Sequence, residues 1–340
     1  MPVIQNFSMY GIYDHYCCSS PPGAKTGFLH VSMYFPPDDA EDIARIIQTY
    51  SRFVILIQQN RRAVSIFQRE IQPLIHAANK PYVIVSCMDD ATFPEETLSA
   101  AAEASLMRSS SRSRLLRHWF TINCRARSSS SSLSSWEGMS VPVSPIPYGV
   151  DYWTLTVRSV WAKTPMSSAY TQDRHLSRLR ESAVHFSKRG DGAPPRIYIN
   201  FQFNMVNKGN HTNYERLEAL FTLPNNVVSI QETPVNRYDT WGAYTQHVFV
   251  ASPRGNGLDT IRTWEALMLG CIVIVRKMPG ECVLEELYHD LPVVFINWWY
   301  EITREFLDRI LSEYAQRTFR YEKLGTSYWI DRIEAAFGAE

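Results

Sequence analysis

The clearest patterning of apolar and polar positions lies between Val248 and Val275, VFVASPRGNGLDTIRTWEALMLGCIVIV. An apolar run ends at Ser252 and a Pro-Arg-Gly-Asn-Gly turn follows. Helical spacing then holds to Leu269, Gly270 stops it, and a second β-branched run opens at Ile272. The pattern predicts strand, glycine loop, helix and strand, a unit that sets a helix N-terminus over a ligand anion.

The same alternation extends to both sides. GFLHVSMYF from Gly27 predicts a strand, and Ala40 to Tyr50 a helix behind Pro36-Pro37-Asp38-Asp39. Phe53 to Ile57 and YVIVSC from Tyr82 predict buried strands. Ala63 to Ala78 between them has helical spacing, with Pro73 expected to kink or interrupt it. LLRHWFTINC is apolar enough to be buried, VPVSPIPYGVDYWTL predicts a strand and a fixed loop, and a helix is expected from Tyr170 to Ser187 with Leu176, Leu179 and Val184 near one face. Strands at RIYINFQF, NVVSIQ, HVFVAS, CIVIV and PVVFIN alternate with helices at Tyr214 to Phe221, Arg237 to Gln246 and Glu281 to Tyr288. Helices over Ile302 to Phe319 and Thr326 to Phe337 close the chain. This is α/β order, which predicts two doubly wound, Rossmann-like domains facing a cleft, with ligands at the C-terminal ends of the strands. Lys188 to Pro195, charged and ending in two prolines, predicts the boundary between a domain over 1–190 and one over 191–340. The nearly pure serine run at 128–135 predicts a mobile surface loop.

Composition adds bounds. At 340 residues the chain has room for two domains, and its 34 basic residues equal its 34 acidic ones, so bulk charge points to no nucleic-acid partner. Six cysteines show no CxxC or metal-ligand spacing, which favours a reducing compartment. No basic-then-apolar leader and no apolar run near ~20 residues is present, so no signal peptide or transmembrane segment is expected. The expectation for the chain as it stands is cytoplasmic, or Golgi-lumenal if an N-terminal anchor has been lost.

The central unit carries the candidate chemistry. Its glycines turn the chain and leave backbone N–H groups uncovered. Helix spacing puts Asp259, Arg262 and Glu265 on one side, with Ile261, Trp264 and Met268 towards the sheet. Arg254 and Arg262 match diphosphate oxygens, Glu265 can accept from ribose hydroxyls, and Asn200 can line the cleft. The alternative is local: Asp259 caps the helix and pairs with Arg262. Walker A is absent. Thr260 stands where a dinucleotide fingerprint needs its third glycine, and Arg276 and Lys277 stand where it needs an acid, which disfavours an NAD(P) oxidoreductase.

SPRGNGLDTIRTWEALMLGCIVIV followed by LPVVFINWWYEIT resembles the C-terminal half of exostosin-type glycosyltransferases, nearest to their short stand-alone relatives. The shared features are Pro253 and Gly255, Arg262, the pair Glu265-Ala266, and Gly270-Cys271-Ile272. Weaker echoes lie in RIYINFQF, IPYGVDYWTL and the strand ending at Asp90. Val273 departs from the proline usual there, and the serine run looks like an insertion. The resemblance implies a GT-B fold, an acceptor on the first domain and a sugar nucleotide on the second. The implied activity is transfer of a hexosyl or pentosyl group from a UDP-linked donor to a glycan or other hydroxyl acceptor, with inversion. Gly255, Asn256, Gly257, Arg254, Asp259, Arg262, Glu265 and Asn200 are the donor-site candidates. A non-catalytic sugar-nucleotide or glycan-binding relative is the competing reading.

Glycosyl transfer also needs a base. Asp89 and Asp90 follow a buried strand at its C-terminal end, and paired acids raise one pKa. Asp90 is the first choice, with Asp89, Asp14 and His15 behind it; the plainer reading makes one of the pair a helix cap near Pro94. No Asp-x-Asp site exists, so no metal or cofactor is expected. Trp298, Trp299 and Tyr300 read as packing before stacking platform, and His118 as a satisfied core histidine. Arg112, Arg114, Arg117, Arg125 and Arg127 read as a solvated serine-arginine stretch.

Overall fold

The computed structural model describes residues 5–18, 25–31, 40–94, 96–99, 115–124, 141–153, 167–189, 195–201, 212–277 and 282–338. The serine run at 128–135, Arg112, Arg114, Arg125, Arg127 and most of the expected boundary lie outside them.

The first half runs α1 (Met9–Tyr13), β1 (Thr26–Val31), α2 (Ala40–Thr49), β2 (Arg52–Gln58), α3 (Arg61–Ile66), α4 (Gln72–Ala77), β3 (Tyr82–Cys87), β4 (Leu116–Thr121) and β5 (Val143–Pro145). All five strands are parallel, in the order β1-β2-β3-β4-β5. Strands covered on both faces must be apolar almost throughout, and β2 and β3 are. Phe53, Ile55 and Ile57 meet Ile43, Ile47, Phe67 and Ile75 from the crossover helices on one face. Between α3 and α4 the chain widens into a π-turn, where the N–H of Gln72 reaches Phe67 O. Pro73, at the first turn of α4, has no N–H to continue the α-helical ladder, so the predicted interruption takes this form.

The second half runs α5 (Ala169–Ser182), β6 (Ile197–Ile199), α6 (Thr212–Thr222), β7 (Val228–Ile230), α7 (Arg237–Gln246), β8 (Phe249–Ala251), α8 (Ile261–Met268), β9 (Ile272–Arg276), α9 (Cys282–Tyr288), β10 (Val293–Ile296), α10 (Arg304–Tyr314) and α11 (Thr326–Ala335). Its sheet is also parallel, in the order β10-β9-β8-β6-β7. The order reverses at β6, which leaves a crevice between the C-terminal ends of β6 and β8. That is the switch point where open α/β sheets take ligands. Helix α5 stops five residues earlier than its spacing predicts, so Val184 is 51% exposed while Leu176 is fully buried.

The other face of the first sheet is covered by the chain's two ends. Val54, Leu56, Val83 and Val85 share one core with Phe7 and Ile12 and with Trp329 and Ile333 of α11. Phe7 donates its N–H to Leu324 O at 2.8 Å, and Arg52 pairs with Glu334 at 2.8 Å. The last helix therefore packs on the first sheet, and the halves share a core.

Candidate functional site

The loop after β8 is held by α6, and this grip sets the geometry of the site. Arg216 Nε donates to Arg254 O at 2.9 Å, while the Arg254 N–H is held by the Glu215 carboxyl. Both backbone groups of one loop residue are thus fixed by adjacent side chains. Helix α6 reads backwards for an amphipathic helix: Glu215 and Arg216 are 6% and 5% exposed, whereas Tyr214 and Phe221 are 73% and 79% exposed. Charges turned inward and aromatics outward are costly unless the charges have a task. Nothing in the sequence marks either charged residue, because an isolated Glu-Arg pair on a helix is ordinarily solvated.

Arg262 projects from the first turn of α8. Its Nε donates to Asn200 Oδ1 at 3.1 Å, its Nη1 reaches Pro253 O at 3.4 Å, and its guanidinium lies 5.5 Å from the Phe201 ring. Among the described residues no carboxylate lies within ion-pair distance of it. Desolvation lowers its pKa, and burial and then Arg262 lower that of Arg216 to about 10. A desolvated guanidinium with no carboxylate at ion-pair distance among the described residues, at a glycine loop on a switch point, is a group that an anion could match. Asn200 also donates to Tyr244 Oη at 2.8 Å, so it orients Arg262 from behind. Around Gly255 an added Cβ would meet nothing nearer than 3.5 Å, the first neighbour being Arg216 Nη2. A side chain there would lie in ordinary contact with Arg216 and Thr260, so space alone does not require the glycine.

Gly257 is required for another reason. A Cβ there would collide with the side-chain amide of Asn123, whose Oδ1 accepts the Asp259 N–H at 3.0 Å. Asn123 follows β4, so the glycine lets the first half buttress the loop. Gly257→Ala is expected to destabilise the protein by about 1–3 kcal/mol, as overpacking does. Thermal melting checks it, and an unchanged melting temperature contradicts the contact.

Asp259 is held inside. Its carboxylate accepts from Tyr148 N–H and Trp264 Nε1, each at 2.7 Å, from Thr260 N–H at 2.7 Å, and from Tyr288 Oη. Burial pushes its pKa up while these donors pull it down. The carboxylate is occupied by the protein itself and ties the loop to the β5 segment and α9. Nor does it cap the helix: Thr260, the residue in place of the third glycine, is the N-cap of α8 and accepts from Thr263 N–H. Glu265 is also engaged, its Oε1 accepting from Arg237 Nη1 at 2.7 Å. Arg237 donates in turn to Asp151 Oδ2 at 3.3 Å and Asp151 O at 3.0 Å. Burial opposes the charge of Arg237, and Glu265 and Asp151 more than offset it, so its pKa is raised. This triad joins the segment after β5 to α7 and α8.

Across the cleft, Asp90 meets the loop directly: Asn256 Nδ2 donates to Asp90 Oδ2 at 3.0 Å. Asp90 is exposed, while Asp89 turns inward to Asn60 Nδ2 at 3.2 Å and to the N–H groups of Asp90 and Ala91. Among the described residues neither acid caps a helix. The position of Asp90 is set by a buried network at the ends of β2, β3 and β4. Gln59 Nε2 donates to Ala91 O at 2.6 Å and Ile122 O at 2.8 Å, and its Oε1 accepts from Ser86 Oγ at 3.1 Å and Thr121 Oγ1 at 2.8 Å. One glutamine thereby pins the turns that carry Asp90 and Asn123. Tyr148 lies in the same place: burial raises its pKa, with Asp90 and then Asp151 adding to the rise.

The other base candidates sit elsewhere. Asp14 is buried against Tyr170 Oη, and His15 packs edge-on to Tyr16 at 4.8 Å. His118 bonds Ser144 Oγ at 2.9 Å and stacks on Phe120 at 4.3 Å, a satisfied packed histidine. Trp299 is core, whereas Trp298 and Tyr300 stand out, parallel at 6.1 Å, with Arg276 4.3 Å from the Trp298 ring. Arg117 is exposed. Among the described residues no cluster of three or more His, Cys, Asp or Glu is arranged to hold a metal ion, and no helix is long and apolar enough to cross a membrane.

No protein-family model matches the chain, and no curated protein matches it in sequence. Among solved structures it is similar to an Escherichia coli trehalose-6-phosphate protein bound with UDP-2-fluoro glucose. That match has 8% identity and a TM-score of 0.33, over 87% of this chain and 73% of the other. It is also similar to α,α-trehalose-phosphate synthases (UDP-forming) from two Burkholderia species. For B. vietnamiensis the identity is 9% and the TM-score 0.34, over 87% and 75% of the two chains. For B. xenovorans, in complex with glucose-6-phosphate, they are 9% and 0.33, over 88% and 78%.

Proposed function

We propose that the protein is a glycosyltransferase of the GT-B type. It takes a hexosyl or pentosyl group from a UDP-linked sugar and passes it to a hydroxyl of a glycan or glycosylated acceptor, with inversion and without a divalent cation. The observation that carries this reading is the Arg262 guanidinium at the β6–β8 crevice, desolvated and with no carboxylate at ion-pair distance among the described residues. Leaving-group stabilisation is the main electrostatic task of the reaction, and preorganised donors in a dry site perform it best. Arg262 and Arg216 hold the departing diphosphate, with the loop N–H groups near Gly255 completing the cage. Asp90 takes the acceptor proton. It comes from the first half while the arginines come from the second. Asn256 positions Asp90, Asn200 positions Arg262, and the Arg237 triad keeps Glu265 next to the donor crevice.

Release of nucleoside diphosphate from a panel of UDP- and GDP-sugars tests the assignment. Turnover of at least one UDP-sugar is expected, and failure of every donor to bind or react contradicts it. The same assay with EDTA is expected to lose less than about twofold, since guanidinium groups take the place of the cation. Abolition by EDTA with recovery on adding manganese overturns the metal-free part.

A further inference from the structure

Asn123 reaches from the first half to the loop after β8 with one arm of its amide engaged and the other unmatched. It follows β4 and is 2% exposed; its Oδ1 accepts the Asp259 N–H at 3.0 Å, while its Nδ2 has no hydrogen-bond partner among the described residues. The Asp259 N–H settles which arm carries the hydrogens, because turning the amide over would set two N–H groups against each other. A buried donor without an acceptor is costly, so the protein keeps it against a penalty. The backbone adds to that penalty. Asn123 has φ +46, in the left-handed region that few residues besides glycine and asparagine visit. The bend lays the amide across the bare Cα of Gly257, where an added Cβ would lie 2.4 Å from Nδ2.

The surroundings of the amide say what it can meet. Gln59 pins the turn of Asn123 to that of Asp90 through Ile122 O and Ala91 O, and Asn256, next to Gly257, donates to Asp90. In the donor-site reading the diphosphate departs towards Arg262 and the acceptor proton goes to Asp90, so the sugar in transfer lies between them. Asn123 touches the loop on the Asp90 side of Gly255, at the level of that sugar. Sugar hydroxyl and ring oxygens are acceptors, which is what a spare amide N–H lacks.

Resting on the donor-site reading above, we propose that Asn123 is a sugar-binding residue: its Nδ2 donates to an oxygen of the glycosyl group in transfer while its Oδ1 keeps hold of the loop. The nitrogen is shut from solvent in the empty site, and one stretch of the loop is built to uncover it. Arg254 is held at its backbone by Arg216, and Asp259 by Tyr148, Trp264 and Tyr288, so both ends are fixed. Between them Gly255 and Gly257 leave the backbone its freedom. A small outward shift of 255–257 opens the amide to the sugar without releasing Asp259.

The test is calorimetric titration of UDP and of UDP-glucose into the full chain, wild type and Asn123→Gly. Glycine takes φ +46 without strain, and Asp259 keeps its bonds to Tyr148, Trp264 and Tyr288, so the loop is expected to stay in place. UDP-glucose is expected to bind the variant about tenfold more weakly, the worth of one hydrogen bond, with UDP changed by less than about twofold. A residue that only braced the loop would weaken both ligands alike. Equal loss for both, or no loss for UDP-glucose, overturns the sugar contact and leaves the donor site standing. Should the variant fold poorly, a crystal structure of the wild type with UDP-glucose decides. A sugar oxygen within about 3.2 Å of Nδ2 upholds the contact, and an Nδ2 unmatched or bonded to water alone overturns it. No binding of UDP to the wild type overturns the donor site and the sugar contact with it.

Discussion

Arg262→Ala is expected to weaken UDP binding on the order of a hundredfold while the protein stays folded. Removing one partner of a desolvated charge contact costs about 2–5 kcal/mol of affinity, and a guanidinium on a diphosphate is such a contact. The fold tolerates the change because, among the described residues, Arg262 hydrogen-bonds only neutral groups, Asn200 Oδ1 and Pro253 O. Removing a buried charge that repels Arg216 also relieves strain in the empty site, so the melting temperature without ligand is expected to hold or rise. Arg262→Lys is expected to restore only part of the affinity, because an ammonium cannot fork between two phosphate oxygens or keep both protein contacts. Titration calorimetry with UDP and thermal melting without it check both halves. Wild-type affinity in Arg262→Ala would show that the anion binds elsewhere.

Asp90→Asn is expected to lower turnover by about 10²–10⁴-fold, the usual contribution of a general base, with the dissociation constant for the donor nearly unchanged. Asparagine keeps the shape, and its side-chain oxygen can still accept from Asn256, so the loop stays in place. What is lost is the capacity to take a proton from the acceptor hydroxyl. Kinetics at saturating donor separate this from a binding defect. Asp89→Asn is the informative comparison. It disturbs the turn built on Asn60 and the backbone, and is expected to act on stability before turnover. Near-normal turnover in Asp90→Asn removes Asp90 as the base.

Much of the fold was legible because apolar periodicity is a local signal. The run from Val248 to Val275 forms strand, loop, helix and strand with Gly270 at φ +77, as its spacing predicts. The placement of Arg262 and Asn200 beside one crevice was also legible, since both stand at strand or helix ends. Asp259 and Glu265 misled because helix periodicity gives a side, not a partner. The partners of Asp259 include Tyr148, 111 residues earlier, and that of Glu265 is Arg237, on a different helix. Glu215 and Arg216 escaped because only the three-dimensional packing turns α6 so that its charged residues face inward. Gly257 was read as turning the chain and baring backbone N–H groups; that its bare Cα also makes room for Asn123 is another long-range fact.

In the proposed function the loop after β8 and its arginines hold a nucleotide diphosphate. A crystal structure of the full chain grown with UDP tests it most directly. Diphosphate density is expected within hydrogen-bond reach of Arg262 and Arg216 and against the backbone at Gly255, with Asp259 still bound to Tyr148, Trp264 and Tyr288. UDP bound away from that loop, or density there that leaves both guanidinium groups untouched, contradicts it.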